Sequence, residues 1–346
     1  MKITIIRHSI RDRGGDQVIH DYACHLVNKG HEVIYWTNEI LCSANAAGKF
    51  VVHRIPFKGK LGTMWFVLTR RFCVDAVWVD IIVMACCAWV RNRDQVVYLA
   101  QDYDVVYYAS PLLQNLIKCF YWVGFNIMNI FVVVESESLL QKMRKFNIKS
   151  YKLVPVGIDV DYYTRPLQLQ VRSRKIYVIL LAVYKDYRKG IDIAHKALAL
   201  LRQIRSQQDW EVWAIGGELD AISGVMIRNF GFVNRQQLKD ILSRTDIYLL
   251  PSRSEGLSIL LLCALACHCV VVGTEASNIV THEVNGLVSS IEDWENLARN
   301  LNRALDDQGL CQRLKENGRK LAESFSLDKS CVQFEAALAG FVKERG

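Results

Sequence analysis

Three short stretches of this chain set charged or hydrogen-bonding side chains beside glycine, at spacings that suit phosphate and sugar recognition. The first is Arg13-Gly14-Gly15-Asp16, shortly after the β-rich run Ile3 to Arg7 and directly before a helical pattern. Glycine lets a backbone approach a phosphate closely, and a helix N-terminus offers N–H donors with a partial positive charge. The same glycines also suit a plain turn, and the stretch lacks the third glycine and spacing of the dinucleotide fingerprint. The second is Asp186-Tyr187-Arg188-Lys189-Gly190-Ile191-Asp192. Two adjacent cations there suit a diphosphate, with Gly190 opening a helix; the plainer alternative is a solvated basic turn. The third and most specific is Leu250-Pro251-Ser252-Arg253-Ser254-Glu255-Gly256-Leu257-Ser258, leading into the apolar helix Ile259 to Ala266. A carboxylate at such a turn, Glu255, suits sugar hydroxyls, and the N–H groups of Gly256, Leu257 and Ser258 suit an anion. A glutamate beside a helix N-terminus is also explained by the helix dipole alone, but that does not explain the whole arrangement.

The elements that must hold these stretches alternate from end to end. Ile3 to Arg7, Glu32 to Thr37, Ala76 to Val79, Val96 to Ala100 and Ile130 to Val134 read as strands of a first sheet, with helical patterns between them from Asp16 to Lys29 onward. A turn-rich exit at Val154 to Asp159 and the polar stretch Leu167 to Arg174 read as the linker. A second series follows at Ile176 to Leu181, Trp210 to Ile215, Phe230 to Val233, Ile247 to Leu250, Val270 to Val272 and Gly286 to Val288. Helices at Ile191 to Arg205, Arg235 to Arg244, Ile259 to Ala266 and Trp294 to Leu305 fill the gaps, and Leu327 to Glu344 closes the chain. Such alternation predicts an α/β protein of two Rossmann-like, doubly wound domains, residues 1–165 and 166–346; the last helix is separately expected to pack back on the first. Ligands of that architecture sit at the carboxyl ends of the strands, so a cleft between the domains is the expected site.

Composition excludes several classes. A chain of 346 residues, 51% hydrophobic, with 5 prolines and 20 glycines, has a large core and no room for a long disordered segment. The start of the chain is charged too quickly for a signal peptide, and the longest apolar runs are interrupted or shorter than the ~20 residues of a membrane span. The 11 cysteines lack the spacing of a disulfide framework and read as reduced thiols of a cytoplasmic protein. Cys263, Cys267, His268 and Cys269 resemble metal ligands at first sight, yet their apolar surroundings read as core, so no metal site is expected. Of the net charge of +8, residues 1–165 hold +6, with 20 basic and 14 acidic side chains. Lys58, Lys60, Arg70 and Arg71 flank Met64-Trp65-Phe66-Val67-Leu68, a pattern that suits an anionic membrane surface or, equally, a helix packed on its own sheet. The basic charge forms no dense stripe, which argues against nucleic acid.

Taken in order, these motifs resemble family 4 of the retaining glycosyltransferases, whose fold is called GT-B. The matching stretches are Gly14-Gly15 with Leu26 to Val33; Val154 to Asp159; Arg188-Lys189-Gly190-Ile191-Asp192; Gly231-Phe232-Val233 through Ser254-Glu255-Gly256-Leu257; and Asn285-Gly286-Leu287-Val288. The resemblance implies a sugar transferred from a nucleotide-diphosphate sugar to a saccharide or lipid-linked acceptor, with no metal or other cofactor. It gives Lys189 and Arg188 the diphosphate, Val233 the base, Glu255 the donor sugar and the amides after it the phosphate. Gly14 and Gly15 face the reacting groups, with Asp16 and Asp102 on the acceptor side. Four positions depart from the pattern. Cys263 stands where a second glutamate grips the ribose, Tyr184 where an arginine precedes the lysine, Gln101 where a histidine lies near the reacting carbon, and Leu260 where a proline is usual. A hydrogen bond to a charged group contributes ~1.5–3 kcal/mol, roughly ten- to a hundredfold in affinity, so Cys263 and Tyr184 imply weaker or differently organised donor binding. They also support an alternative, a catalytically silent relative acting as a binding or regulatory subunit. The transferase is expected in the cytoplasm, peripheral on the membrane face.

Overall fold

The computed structural model describes residues 1–11, 14–41, 50–165, 176–205 and 209–345. Arg13, residue 166 and the expected linker Leu167 to Arg174 lie outside the described residues. The chain divides into two compact units, one of residues 1–157 with 328–346 and one of residues 158–327. The first unit therefore ends at Gly157, ahead of the expected boundary at 165, and takes the last helix as its own. Residues 158–165 stay with the second unit because Arg165 is buried there, donating to the carbonyls of Ser243, at 2.9 Å, and Thr245.

The first unit holds a seven-stranded, wholly parallel sheet. In chain order it runs β1 (Lys2–Arg11), α1 (Gly14–Asn28), β2 (Glu32–Leu41), β3 (Val51–Arg54), α2 (Gly59–Thr69), β4 (Ala76–Val79), α3 (Ile82–Trp89), β5 (Val96–Ala100), α4 (Pro111–Asn126), β6 (Phe131–Val134), α5 (Glu137–Arg144) and β7 (Tyr151–Leu153). Strand order is β3-β2-β1-β4-β5-β6-β7. The buried central strands read as unbroken apolar runs, such as Ala76-Val77-Trp78-Val79, because helices cover both of their faces. Helices α2 to α5 cover one face over a core that includes Phe66, Ile82, Tyr98, Tyr121 and Met143.

The second unit runs β8 (Tyr177–Ala182), α6 (Ile191–Ile204), β9 (Trp210–Ile215), β10 (Ile227–Asn229), α7 (Arg235–Arg244), β11 (Ile247–Leu250), α8 (Ile259–Ala266), β12 (Val270–Thr274), β13 (Leu287–Ser289), α9 (Trp294–Asp306) and α10 (Gln308–Ser324). Its parallel sheet has the order β10-β9-β8-β11-β12-β13. The expected strand Phe230 to Val233 is instead the loop after β10. Pairing with β9 stops at Asn229, whose side chain turns to the backbone of Leu219, and Gly231 takes a left-handed φ of +64°. The periodicity that suggested a strand there marks an apolar loop.

The closing helix, α11 (Leu327–Arg345), completes the first unit. Its Phe334 stacks on Tyr22 at 4.4 Å between ring centroids and lies 4.6 Å from Trp78. Ser330 bridges the Tyr22 hydroxyl, at 2.5 Å, and the Pro155 carbonyl, at 2.7 Å. Beside this seam, His25 and His31 both meet the Glu335 carboxylate, at 2.9 and 3.1 Å. Phe334 is fully buried, so Phe334→Ala is expected to cost the protein about 3–5 kcal/mol. Urea unfolding measures this, and an unchanged midpoint would mean that α11 is not part of the first core.

Candidate functional site

The sheet orders locate where each unit can bind. In the first, the strands run outward in opposite directions from β1 and β4; in the second, from β8 and β11. Chain turns at the carboxyl ends of these two central pairs are where an open α/β sheet leaves a crevice. The second and third stretches singled out in the sequence lie on such turns, and Gly14 to Asp16 of the first open the helix that follows β1.

In the second unit, the turn after β8 carries Arg188 and Lys189, and the turn after β11 carries Glu255. The two are brought together by an ion pair: Lys189 Nζ lies 2.8 and 2.9 Å from the two Glu255 carboxylate oxygens. Ser252 Oγ donates to the same carboxylate at 2.6 Å, and the Glu255 side chain is only 7% exposed. Gly190 makes the approach possible. Its φ is +62°, and a Cβ there would stand 2.0 Å from the Pro251 carbonyl oxygen. The clasp is closed by Arg253, to which the sequence reading gave no role. Its backbone N–H donates to the Arg188 carbonyl at 2.7 Å, and its guanidinium packs on the Tyr187 ring at 3.9 Å. That guanidinium also holds Asp192, at 2.7 and 2.8 Å, and Glu292. No spacing rule announces such a residue, because its partners come from turns far apart in the chain.

The other expected donor residues fall into two groups. Arg188 is turned onto Asp186, with its terminal nitrogen 2.7 Å from the carboxylate, and this hydrogen bond holds the Asp186 carboxyl below its usual range. Ser258 is the N-cap of α8, accepting from the Leu261 N–H at 3.3 Å; Gly256 precedes it, its carbonyl accepting from Asn278, and Leu257 lies between, half-buried. Val233 stands apart from these, beside an open pocket of about 320 Å³ also lined by Trp213, Phe230, Gln237, Ile241 and Arg244. Cys263 is buried within α8, 1% exposed, with its thiol hydrogen-bonded to Tyr163. Cys267 and Cys269 are buried as well, and burial pushes the Cys267 thiol up to about 12. Among the described residues no cluster of His, Cys, Asp and Glu is arranged to hold a metal ion.

In the first unit, Gly14 and Gly15 do not precede α1 but form its first turn. Asp16, placed on the acceptor side by the resemblance, is bound to Arg7 at 2.6 Å, and Arg7 reaches Asp80 at 2.7 Å. Arg7 thereby ties the first turn of α1 to the turn after β4. Gln101, following β5, donates from Nε2 to the Gly15 carbonyl at 3.1 Å and to Glu135 Oε1 at 3.2 Å. Asp102 accepts from the Tyr103 N–H at 2.8 Å and the Tyr107 hydroxyl at 2.9 Å. Arg7, Asp80 and Glu135 are thus members of this cluster that sequence reasoning missed. Glu135 is detectable only as the charge that ends the apolar run of β6.

Comparison with known proteins supplies the context for this geometry. Residues 168–321 match the family of glycosyl transferases group 1. A curated relative, the N,N'-diacetylbacillosaminyl-diphospho-undecaprenol alpha-1,3-N-acetylgalactosaminyltransferase of Campylobacter jejuni, is 21% identical over 232 residues, 61% of this chain and 60% of its own length. The match thus spans about 60% of that relative. Sucrose-phosphate synthase from Thermosynechococcus elongatus superposes with a TM-score of 0.81 at 17% identity, covering 99% of this chain and 100% of the other. HepE of Anabaena, solved in complex with UDP-glucose, gives a TM-score of 0.77 at 17% identity, covering 98% of this chain and 100% of the other. The expected fold class, two Rossmann-like parallel-sheet domains of the GT-B type, is the one these likenesses share.

Two substitutions test the two units. Gly190→Ala is strained both by its positive φ and by the Pro251 carbonyl, and is expected to cost ~1 kcal/mol or more. A wild-type unfolding midpoint for this variant would show that the two turns are not clasped. Asp104, buried in the first unit between Tyr98 and the Ile82 N–H, is pushed up to about 7, chiefly by burial, from 3.8. It keeps a proton in the fold that the unfolded chain has released, so it withdraws stability as pH rises from about 4 to about 7. Asp104→Asn should flatten the fall in stability across that window; an unaltered slope in urea titrations at several pH values would exclude it.

Proposed function

We propose that this chain is a retaining glycosyltransferase that moves a sugar from a nucleotide-diphosphate sugar to a saccharide or lipid-linked acceptor in glycan biosynthesis. The observation that carries the reading is the Lys189–Glu255 contact at the switch-point turns of the second unit, inside the stretch that matches group 1 glycosyl transferases. A donor diphosphate would draw Lys189, with Arg188 released from Asp186, onto its oxygens. The freed Glu255 carboxylate would then accept from hydroxyls of the donor sugar, with Ser252 holding its other oxygen. The dipole of α8 and the backbone around Gly256 to Ser258 would stabilise the same phosphate. The base would enter the Trp213–Phe230 pocket beside Val233.

In this mechanism the bond between the anomeric carbon and the phosphate oxygen breaks as the acceptor oxygen bonds to that carbon on the same face. The acceptor proton passes to the departing phosphate, and configuration is retained. The side chains contribute charge aimed in advance at the leaving group, which is electrostatic preorganisation and requires no divalent ion. A second reading, a silent binding subunit, is favoured by Cys263: its thiol is buried against Tyr163 and supplies no grip on a ribose.

Titrating the purified chain with nucleoside diphosphates and nucleotide-sugars, in the presence of a chelator, separates the two. The transferase reading expects micromolar binding of one nucleotide, weakened roughly ten- to a hundredfold in Lys189→Ala. No binding across the panel would move the assignment to the silent subunit.

The acceptor end of the proposal involves an anionic membrane surface on the α2 side of the first unit. Leu61 and Trp65 of α2 are 80% and 56% exposed, flanked by Lys58, Lys60 and Arg71. Arg70 is engaged otherwise, with its guanidinium 4.6 Å from the Trp36 ring. On the same sheet face, α4 exposes Leu112, Leu116 and Trp122. A basic side chain near an anionic surface contributes about 1 kcal/mol, so replacing Lys58, Lys60 and Arg71 by glutamine should weaken binding on the order of a hundredfold. Co-sedimentation with phosphatidylglycerol-containing vesicles reads this; equal binding by the triple variant removes the membrane from the proposal.

A further inference from the structure

Gln101 stands where the resembling family has a histidine, and a primary amide poses a problem there that an imidazole does not. Its carbonyl and its NH₂ have nearly the same shape, so half a turn about the last bond exchanges an acceptor for donors. A residue that must recognise a hydroxyl in one sense needs something to choose between the two. In this chain the choice is made from below. Both N–H groups of Gln101 have inward partners, the Gly15 carbonyl at 3.1 Å and Glu135 Oε1 at 3.2 Å. The Gln101 carbonyl oxygen lies over Gly15, 3.0 Å from where a Cβ would stand, so the glycine leaves it room.

Glu135 is 6% exposed, follows β6 directly, and is fixed by its own N–H donating to the Ala100 carbonyl at 3.2 Å. The neighbouring guanidinium of Arg7 is already shared by Asp16 and Asp80.

We infer that Glu135 is a positioning residue: it fixes the amide of Gln101 so that the first unit presents the Gln101 carbonyl oxygen as an acceptor to a substrate hydroxyl. The inference rests on the transferase reading for the identity of that hydroxyl, but the orientation of the amide does not. The charged and titratable groups facing Glu135 are Arg7 of β1, Asp80 after β4 and Tyr22 of α1, with Gln101 after β5 as its hydrogen-bond donor. Burial first, and Asp80 after it, push the Glu135 carboxyl up to about 8 against the Gln101 hydrogen bond and the charge of Arg7. Ionised, Glu135 only accepts, and the amide is held as described. Protonated, its O–H is able to donate to the Gln101 carbonyl, and the Gly15 carbonyl is then the remaining group that selects the amide's sense. Ionisation of Glu135 therefore adds the second hold that keeps the acceptor sense.

The test follows the Gln101 side-chain NH₂ signals by NMR in the full chain, isotope-labelled at glutamine, with the pair assigned by its loss in Gln101→Glu. Across a pH range bracketing the Glu135 value of about 8, the wild-type pair should titrate with a midpoint near that value. The titration should vanish in Glu135→Gln and persist in Asp104→Asn. A wild-type pair that does not move with pH overturns the inference without any variant, and so does a midpoint that survives in Glu135→Gln. The readout needs no substrate. A failed transferase reading would show itself separately, as absent nucleoside diphosphate binding.

Discussion

Everything chemical in this chain depends on a single constraint of parallel sheets: where the strand order reverses, two neighbouring turns leave side by side and must be held apart or together by side chains. Each unit answers it with a guanidinium. In the first, Arg7, within β1, reaches Asp16 in the first turn of α1 and Asp80 after β4, joining the two. In the second, Arg253 joins the turns after β8 and β11 through Asp192, the Tyr187 ring and the Arg188 carbonyl. Arginine suits this task because its planar fork serves two carboxylates at once and stays charged at any physiological pH. With the turns fixed, Lys189 and Glu255 meet although they lie 66 residues apart.

The two clusters differ in how charge is balanced. Around Lys189 and Glu255 cations and carboxylates are nearly matched: Lys189 holds Glu255, Arg188 holds Asp186, and Arg253 holds Asp192 and Glu292. Around Arg7 three carboxylates, Asp16, Asp80 and Glu135, crowd one guanidinium. Glu135, which sees little solvent, has its carboxyl pushed up to about 8. Burial of a carboxyl without a cation of its own gives that result generally.

Much of the architecture was legible in the residues. Ala76–Val79, Val96–Ala100, Trp210–Ile215 and Ile247–Leu250 are strands at the expected bounds, because strands buried on both faces are unbroken apolar runs. The short edge strands β3 and β7 gave no such signal, since half-exposed residues such as Tyr151 and Lys152 carry no period. Phe230 to Val233 misled for the opposite reason, being apolar where it lines a pocket rather than a sheet. Among site residues, Lys189 and Glu255 were legible because glycine and charge fall together at turns. Cys263 was placed by the resemblance alone, and its burial against Tyr163 carries no mark in the residues around it. Arg7, Arg253 and Glu135 act only through neighbours distant in sequence, so no local pattern could have marked them.

The closing helix gives the first unit a discontinuous chain: residues 158–327 are threaded through it like a clause in parentheses. The two crossings run side by side, with Ile158 and Leu327 exchanging backbone hydrogen bonds at 2.9 Å with Phe325 and Ile158 respectively. During synthesis, at ~5–20 residues per second, the second unit can fold while the first still lacks the aromatic ring that fills the space beside Tyr22 and Trp78. The opening bracket therefore waits for its partner. A ribosome-bound chain stalled before α11 would carry a finished second unit and an unfinished first.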